Sequence, residues 1–262
     1  MFAEERQALI VDLVSSSNRV TVSELATRFD ITPETVRRDL DTLERSRQLR
    51  RVHGGAVSFD RQSMAELSLE ERQTQHSDEK QRIAAAALAL IPASQTGSIL
   101  LDAGTSTELL ADLLVDWVPA APADELLVIT NAVPIATKLA AHAAIQLYIL
   151  GGRVRGLTRA VVGPSTIAQL DALRPDIAFV GANGVHAEFG FSTPDAVESA
   201  VKTAIVRSAR RVVALADSSK LDKETLIRFA ALGDIDVLIT DALPSTELAA
   251  ALAAADVEVV IA

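Results

Sequence analysis

From Ser98 onward, short apolar runs alternate with segments of helical periodicity. Continuous apolar runs of about four residues are typical of strands covered on both faces, and their alternation with helices predicts a mostly parallel sheet between two helical layers. The runs predict strands at 99–101, 126–129, 145–150, 177–180, 211–215, 237–239 and 257–261. The intervening segments predict helices at 80–90, 105–114, 134–141, 163–170, 194–209 and 246–254.

Small, hydroxyl, amide and charged residues follow nearly every one of these strands. Ligands of open parallel sheets bind at the carboxyl ends of the strands, so these residues are candidates for a binding site. They include Asp102, Gly104, Thr105, Ser106, Thr107, Thr130, Asn131, Gly152, Arg153, Gly181, Asn183, Asp217 and Lys220. The 102–107 segment joins a strand to a helix, where free N–H groups and hydroxyls bind phosphate. Simple capping by Thr105 or Ser106 is compatible with that interpretation.

The N-terminal stretch has a different pattern. Thr32 followed by Pro33 predicts the start of a helix, and Val36, Leu40 and Leu43 form one apolar stripe along it. Two helices are predicted before it, at 5–16 and from a capping box that begins at Thr21. Two short helices joined by a tight turn, after a third, predict a helix-turn-helix unit.

A small hairpin is predicted directly after this helix. Strands at 49–52 and 56–58 flank a turn that contains His53 and two glycines. Such a hairpin would form a wing, in which Arg50, Arg51 and His53 lie beside a DNA backbone. An ordinary turn with a histidine of no chemical role remains the alternative for this segment.

Charge is distributed unevenly along the chain, whose net charge is −10. Residues 1–57 contain nine arginines and nine acidic residues, so the remainder carries the whole net charge. Residues 35–53 contain six arginines and three acidic residues. A basic patch on a small module attached to an acidic body favours DNA binding by one end only, although arginines also decorate ordinary solvated helices.

Composition excludes several classes of protein. The chain contains no cysteine, which rules out disulfides and thiolate metal sites. No His, Asp or Glu set has metal-ligand spacing, and neither a dinucleotide fingerprint nor a P-loop is present, so we expect no metal and no cofactor. The charged N-terminus is unlike a signal peptide, and no apolar run approaches a membrane span of about 20 residues. We therefore expect a cytoplasmic protein that does not bind membranes.

The N-terminal segment resembles the winged helix-turn-helix of the DeoR family of bacterial transcription regulators. The resemblance rests on Arg6, Ile10 and Val14, on Thr32 and the 35–40 segment Thr-Val-Arg-Arg-Asp-Leu, and on the 51–56 segment Arg-Val-His-Gly-Gly-Ala. It departs at Arg47, where the family commonly has Gly or Asn to end the recognition helix. The resemblance implies that Thr32, Glu34, Thr35, Arg37 and Arg38 contact DNA.

Residues 77–262 resemble the effector domain of the same family, whose fold is similar to ribose-5-phosphate isomerase and glucosamine-6-phosphate deaminase. The resemblance adds Glu198 and Lys202 to the candidate ligand residues and implies a phosphorylated sugar as effector. Those isomerases have Gly-Ala-Asp-Glu where this chain has Gly181-Ala182-Asn183-Gly184. Loss of two acids removes groups that could move a proton, so binding without turnover is expected.

Together these features predict an α/β protein with an N-terminal winged helix-turn-helix domain followed by a mostly parallel α/β sheet domain. The expected division is 1–57 for DNA binding, 58–76 as a linker and 77–262 as the effector domain. The expected function is a non-enzymatic repressor of sugar-metabolism genes that binds a double-stranded DNA operator as a homodimer or homotetramer. The alternatives are an active sugar-phosphate isomerase or deaminase with a DNA-binding domain and, more weakly, a nucleoid or RNA-binding protein.

Overall fold

A computed structural model describes residues 3–17, 19–46, 48–52, 55–58, 69–91, 97–121 and 125–262. The chain divides into two compact units, Met1–Glu66 and Leu67–Ala262. No helix among the described residues is long and apolar enough to cross a membrane.

The first unit has three helices and a small antiparallel sheet, which confirms the predicted winged helix-turn-helix. Its elements are α1 (Ala3–Ser17), β1 (Arg19–Thr21), α2 (Val22–Phe29), α3 (Pro33–Arg45), β2 (Leu49–Val52) and β3 (Gly55–Ser58). The strand order is β1-β3-β2. Strand β1 was not predicted, because its three residues, which end at the N-cap of α2, are too few to show the alternation of a strand.

Local hydrogen bonds fix the starts of α2 and α3. The Thr21 hydroxyl accepts a hydrogen bond from the Glu24 N–H at 3.2 Å, and the Glu24 carboxylate accepts one from the Thr21 N–H at 2.8 Å. Asp30 ends α2 with φ of 51°, and the Thr32 hydroxyl then accepts from the Thr35 N–H at 3.2 Å. These contacts confirm the predicted capping box and the predicted start of α3.

A buried ion pair ties α1 to α3 within the first unit. Arg6 donates to the two oxygens of Asp39 at 2.6 and 3.2 Å, and Gln7 donates to the same carboxylate at 2.9 Å. Asp39 is 4% exposed and lies beside the buried Val36 and Leu40. The carboxylate of Asp39 is therefore neutralised inside the unit and does not reduce the positive charge of the exposed face of α3.

The second unit contains one large parallel sheet with its connecting helices. Its strands are β4 (Gly97–Leu101), β5 (Leu126–Thr130), β6 (Ile145–Ile149), β7 (Arg153–Arg155), β8 (Ala160–Val162), β9 (Ile177–Gly181), β10 (Gly184–His186), β11 (Gly190–Thr193), β12 (Arg211–Leu215), β13 (Ile227–Ala230), β14 (Val237–Thr240) and β15 (Glu258–Ile261). Its helices are α4 (Leu69–Thr74), α5 (Ser77–Leu88), α6 (Thr105–Leu114), α7 (Val133–Leu139), α8 (Pro164–Asp171), α9 (Ala196–Ser208) and α10 (Thr246–Ala254).

The main sheet has seven strands in the order β15-β14-β12-β9-β4-β5-β6, all parallel. Every residue of β14 and the first four of β9 are buried, so both faces of the sheet are covered as predicted. Two smaller antiparallel groups, β7-β8 and β10-β11-β13, were not predicted. The segment 58–76, expected to be a linker, includes α4, whose Leu69 is buried in the second unit.

The order of the strands defines where a ligand site is expected. From β4 the chain adds β5 and β6 on one side, and then β9, β12, β14 and β15 on the other. The direction of winding therefore reverses between β4 and β9. In open parallel sheets, a crevice forms outside the carboxyl ends of the strands at such a reversal.

Candidate ligand cavity and DNA-reading face

A polar cavity that opens to solvent lies at this reversal. Its walls come from residues at or after the ends of β4, β9 and β12, from α4, and from the sides of α5 and α9. They are Arg72, Gln75, Lys80, Ala103, Gly104, Thr105, Ser106, Gly181, Ala182, Asn183, Glu198, Lys202, Leu215, Ala216, Asp217 and Lys220.

The N-terminus of α6 faces this cavity. Gly104 is the N-cap and provides no side chain to accept from the first amides of the helix. In the described hydrogen bonds, the first backbone donor of this helix with a partner is the Glu108 N–H, which bonds the Gly104 carbonyl at 2.9 Å. The capping by Thr105 or Ser106 that the sequence left open is therefore not observed. Their free N–H groups and the helix dipole favour an anion at this end of the cavity.

Three of the predicted hydroxyl and amide residues hold the cavity floor together. The Thr107 hydroxyl donates to the Asp102 carbonyl at 2.6 Å, and the Thr130 hydroxyl donates to the Leu101 carbonyl at 2.7 Å. Asn131 accepts from the Ala103 N–H at 3.0 Å. These three residues are fully or almost fully buried and do not line the cavity, so they position the 102–106 segment.

Two cationic groups in the wall have a donor without a partner among the described residues. For Arg72 this donor is the Nε atom, which is buried. Among the described contacts, the Lys220 ammonium has no hydrogen bond or ion pair, and burial lowers the pKa of Lys220 while Asp217 opposes that shift. Donors of this kind are costly to leave unpaired, so both favour binding of an anion.

Lys80 closes the same side of the cavity. Its ammonium donates to the carbonyls of Arg72 and Gln75, both at 2.6 Å, and the residue is 4% exposed. Burial lowers the pKa of Lys80 to about 8, and the charge of Asp217 opposes the shift. At neutral pH, Lys80 therefore still carries its charge. Its ammonium group lines the cavity, but its hydrogen bonds go to the two protein carbonyls.

The remaining wall is acidic and internally paired. Lys202 forms a buried ion pair with Asp102 and donates to the Gly181 carbonyl at 2.8 Å. Burial raises the pKa of Asp102, and Lys202 opposes that rise. The Glu198 carboxylate accepts from Thr158 and from Arg155. These pairs leave little free positive charge on this side, where carboxylate oxygens can accept from ligand hydroxyls.

The structure brings most of the predicted ligand residues into one wall. Gly152 and Arg153 are exposed and do not line the cavity. Arg72, Gln75 and Lys80 do line it and were missed by the sequence analysis. Lys80 had a usable signal, since it shares one face of α5 with Ile83, Ala84 and Ala87, and a cation on an apolar stripe is unusual.

The first unit presents the predicted polar face of α3 to solvent. Exposed fractions of the side chains are 65% for Glu34, 51% for Arg37 and 81% for Arg38. Glu34 lies 3.3 Å from Arg37, and the hydroxyls of Thr32 and Thr35 are 2.9 Å apart. Arg50 and Arg51 belong to β2, and His53 and Arg47 lie outside the described residues.

A winged helix-turn-helix unit followed by an α/β unit with a polar cavity is the architecture of a DNA-binding transcriptional regulator with a sensor domain. Residues 6–62 match the DeoR-like helix-turn-helix domain, and residues 75–242 match the DeoR C terminal sensor domain. The chain belongs to the DeoR family, and the expectation of a regulator that is not an enzyme is confirmed.

Several known proteins are similar to this chain. The HTH-type transcriptional regulator FruR of Bacillus subtilis is 34% identical over 92% of each chain. The HTH-type transcriptional repressor GlcR of the same organism is 33% identical over 94% of this chain and 91% of its own. A ribose-5-phosphate isomerase in complex with phospho-erythronic acid overlaps 56% of this chain and 55% of its own, with 18% identity and a TM-score of 0.41.

Proposed function

We propose that this regulator represses genes of sugar metabolism and that a phosphorylated sugar in the cavity controls its affinity for an operator. The observation that carries the proposal is the unpaired Lys220 ammonium and Arg72 Nε beside the free amides at the start of α6. The similar protein GlcR is named as a transcriptional repressor, which supports repression by this chain.

The chemistry of the wall suggests how such a ligand is oriented. The phosphate binds the amides of Thr105 and Ser106 together with Arg72 and Lys220, because these groups donate and are positively charged. The sugar hydroxyls then face Asn183, Glu198 and Asp217, whose oxygens accept hydrogen bonds. Glycines 104 and 181 let the ligand approach the backbone. Five further candidate residues position this site without binding the phosphate themselves: Asp102, Thr107, Thr130, Asn131 and Lys202. Gly152 and Arg153 lie outside the cavity, so they would contact only a ligand that extends beyond it.

The proposed DNA contacts follow from the exposed face of α3. Glu34, Thr35, Arg37 and Arg38 read base edges, and Thr32 caps the helix whose N-terminus enters the major groove. Arg50, Arg51 and His53 of the wing contact the DNA backbone. A module this small binds one short site weakly, so we propose a homodimer or homotetramer on repeated half-sites in the cytoplasm. We propose 1–57 for DNA binding, 58–76 as the connecting segment and 77–262 as the effector domain, with α4 of the connecting segment contributing Arg72 to the effector cavity.

Replacement of Arg38 by alanine should reduce operator affinity by about 10- to 100-fold, because one side-chain contact to a base contributes about 1–3 kcal/mol. The side chain is 81% exposed, so the thermal unfolding of the protein should not change. The measurement is fluorescence anisotropy with a duplex selected from a random pool by the full-length protein, and with an unselected duplex. Arg28→Ala removes the same charge from the exposed side of α2. An equal loss for both variants on both duplexes would refute base reading by Arg38.

Replacement of Lys220 by alanine should weaken sugar-phosphate binding by about 10- to 150-fold, since a hydrogen bond to a charged group contributes about 1.5–3 kcal/mol. The unliganded protein should be at least as stable as before, because a partly desolvated and unpaired cation is removed. Thermal shift and calorimetry on the full chain would use glucose 6-phosphate, fructose 1-phosphate, fructose 6-phosphate, ribose 5-phosphate and glycerol 3-phosphate. The control is Lys223→Ala, an exposed neighbour. Binding of none of these compounds would contradict the proposed function.

A further inference from the structure

Helix α4 (Leu69–Thr74) is the first described element of the second unit, whose boundary with the DNA-binding unit lies at Glu66 and Leu67. Six residues are too few for a helix to be stable without tertiary contacts. Leu69 is its buried residue, so its apolar anchorage is small. The position of α4 therefore depends on the contacts that the rest of its residues make.

Polar contacts hold α4 against its neighbours. The Leu69 N–H donates to the Leu157 carbonyl at 3.1 Å, and Gln73 donates to the buried Glu108 of α6 at 3.1 Å. At the other end, Lys80 donates to the Arg72 carbonyl at 2.6 Å. Contacts of this kind are individually modest, so one added partner on α4 can change how firmly it is held.

Arg72 is the residue of α4 that faces the cavity. It follows the buried Leu69 by three positions, which places both side chains on one face of the helix. The Nε atom of Arg72 is buried without a hydrogen-bond partner. A phosphate beside the start of α6 would give this donor the partner that it lacks.

A second route joins the cavity to the start of α4. The turn between β7 and β8 contains Thr158, whose hydroxyl donates to the cavity residue Glu198. The neighbouring residues of the same turn bind α4, since Leu157 accepts from the Leu69 N–H and Arg159 pairs with Glu70. A ligand that moves Glu198 therefore changes the surface on which α4 begins.

We propose that α4 transmits occupancy of the cavity to the DNA-binding unit and that Arg72 is its ligand-binding residue. The bound phosphate interacts with Arg72 only while α4 is docked, so the ligand shifts α4 toward the docked state. In the sequence, α4 follows the DNA-binding unit, whose boundary lies at Glu66. The inference rests on the proposed sugar-phosphate function and adds the element that couples the two sites.

The experiment compares the full-length protein with Leu69→Ala, Arg72→Gln and Leu248→Ala. Leu248→Ala creates a similar void at a fully buried leucine of α10, which does not line the cavity. Each protein is titrated with the five phosphates named above, and operator affinity is measured with and without the one that binds. Amide hydrogen exchange of residues 69–74 is followed in parallel.

In the unsubstituted protein, the bound phosphate should slow exchange of 69–74 at least tenfold and change operator affinity. Arg72→Gln should weaken phosphate binding about 30-fold and remove this protection. Leu69→Ala should weaken phosphate binding by no more than Arg72→Gln does and should lose the effect of the phosphate on operator affinity, whereas Leu248→Ala should keep that effect. Unchanged exchange of 69–74 on binding, or full coupling in Leu69→Ala, would overturn the role of α4. If no phosphate binds, the proposed function fails and this inference fails with it.

Discussion

Replacement of Asp39 by alanine should destabilise the DNA-binding unit by about 3–5 kcal/mol, because it leaves the Arg6 guanidinium buried without a counter-ion. Both side chains are about nine-tenths buried or more, so solvent screening does not reduce the effect. Gln7 also loses its acceptor. Urea unfolding followed by circular dichroism should show an early transition for this unit, and operator binding should be lost at the urea concentration where that transition occurs.

A double variant separates the ion pair from packing. Arg6→Met combined with Asp39→Leu removes both charges and keeps apolar volume, so most of the stability should return. A single Asp39→Ala variant that unfolds at the wild-type urea concentration would contradict a buried pair between α1 and α3.

Replacement of Lys202 by methionine should destabilise the sensor unit by about 3–5 kcal/mol at neutral pH, since Asp102 is 1% exposed and would lose its counter-ion. Burial already raises the pKa of Asp102, and removal of Lys202 raises it further. A carboxyl group with a raised folded-state pKa binds more protons when folded than when unfolded, so stability falls as pH rises. The loss of unfolding free energy in Lys202→Met should therefore be smaller at pH 5 than at pH 8.

Lys220→Ala is the matched comparison, because it removes one ammonium from the same cavity but leaves no described carboxylate without its ion-pair partner. Urea midpoints of both variants at pH 5 and pH 8 test the difference. An equal loss of stability for Lys202→Met at both pH values would mean that lost packing, and not the uncompensated buried charge of Asp102, explains its effect.

Local signals made much of the fold predictable. Helix α3 starts where Thr32 and Pro33 predicted, and α6 was predicted with its observed bounds. The short strands β7, β8, β10 and β11 form two hairpins, and they were missed because three or four residues are too few to display a period. The parallel strands were recognised because burial on both faces makes their apolar runs continuous.

The candidate site was predictable only where the strand-end rule applies. That rule selected Thr105, Ser106 and Lys220, which line the cavity. It does not cover Arg72 and Lys80, which precede the first strand of the sheet and reach the cavity by tertiary packing. It also could not distinguish a hydroxyl that faces a ligand from one such as that of Thr107, which donates to a backbone carbonyl.

The cavity wall joins residues that are far apart in the chain, from Arg72 on the first helix of the sensor to Lys220 after its fifth parallel strand. A ligand held by both acts as a non-covalent cross-link. At 100 times its dissociation constant, such a ligand adds about 2.7 kcal/mol to the free energy of unfolding. Proteases degrade the unfolded form, so the cellular lifetime of this regulator should lengthen when its ligand accumulates. The ligand then sets the amount of the protein as well as its state.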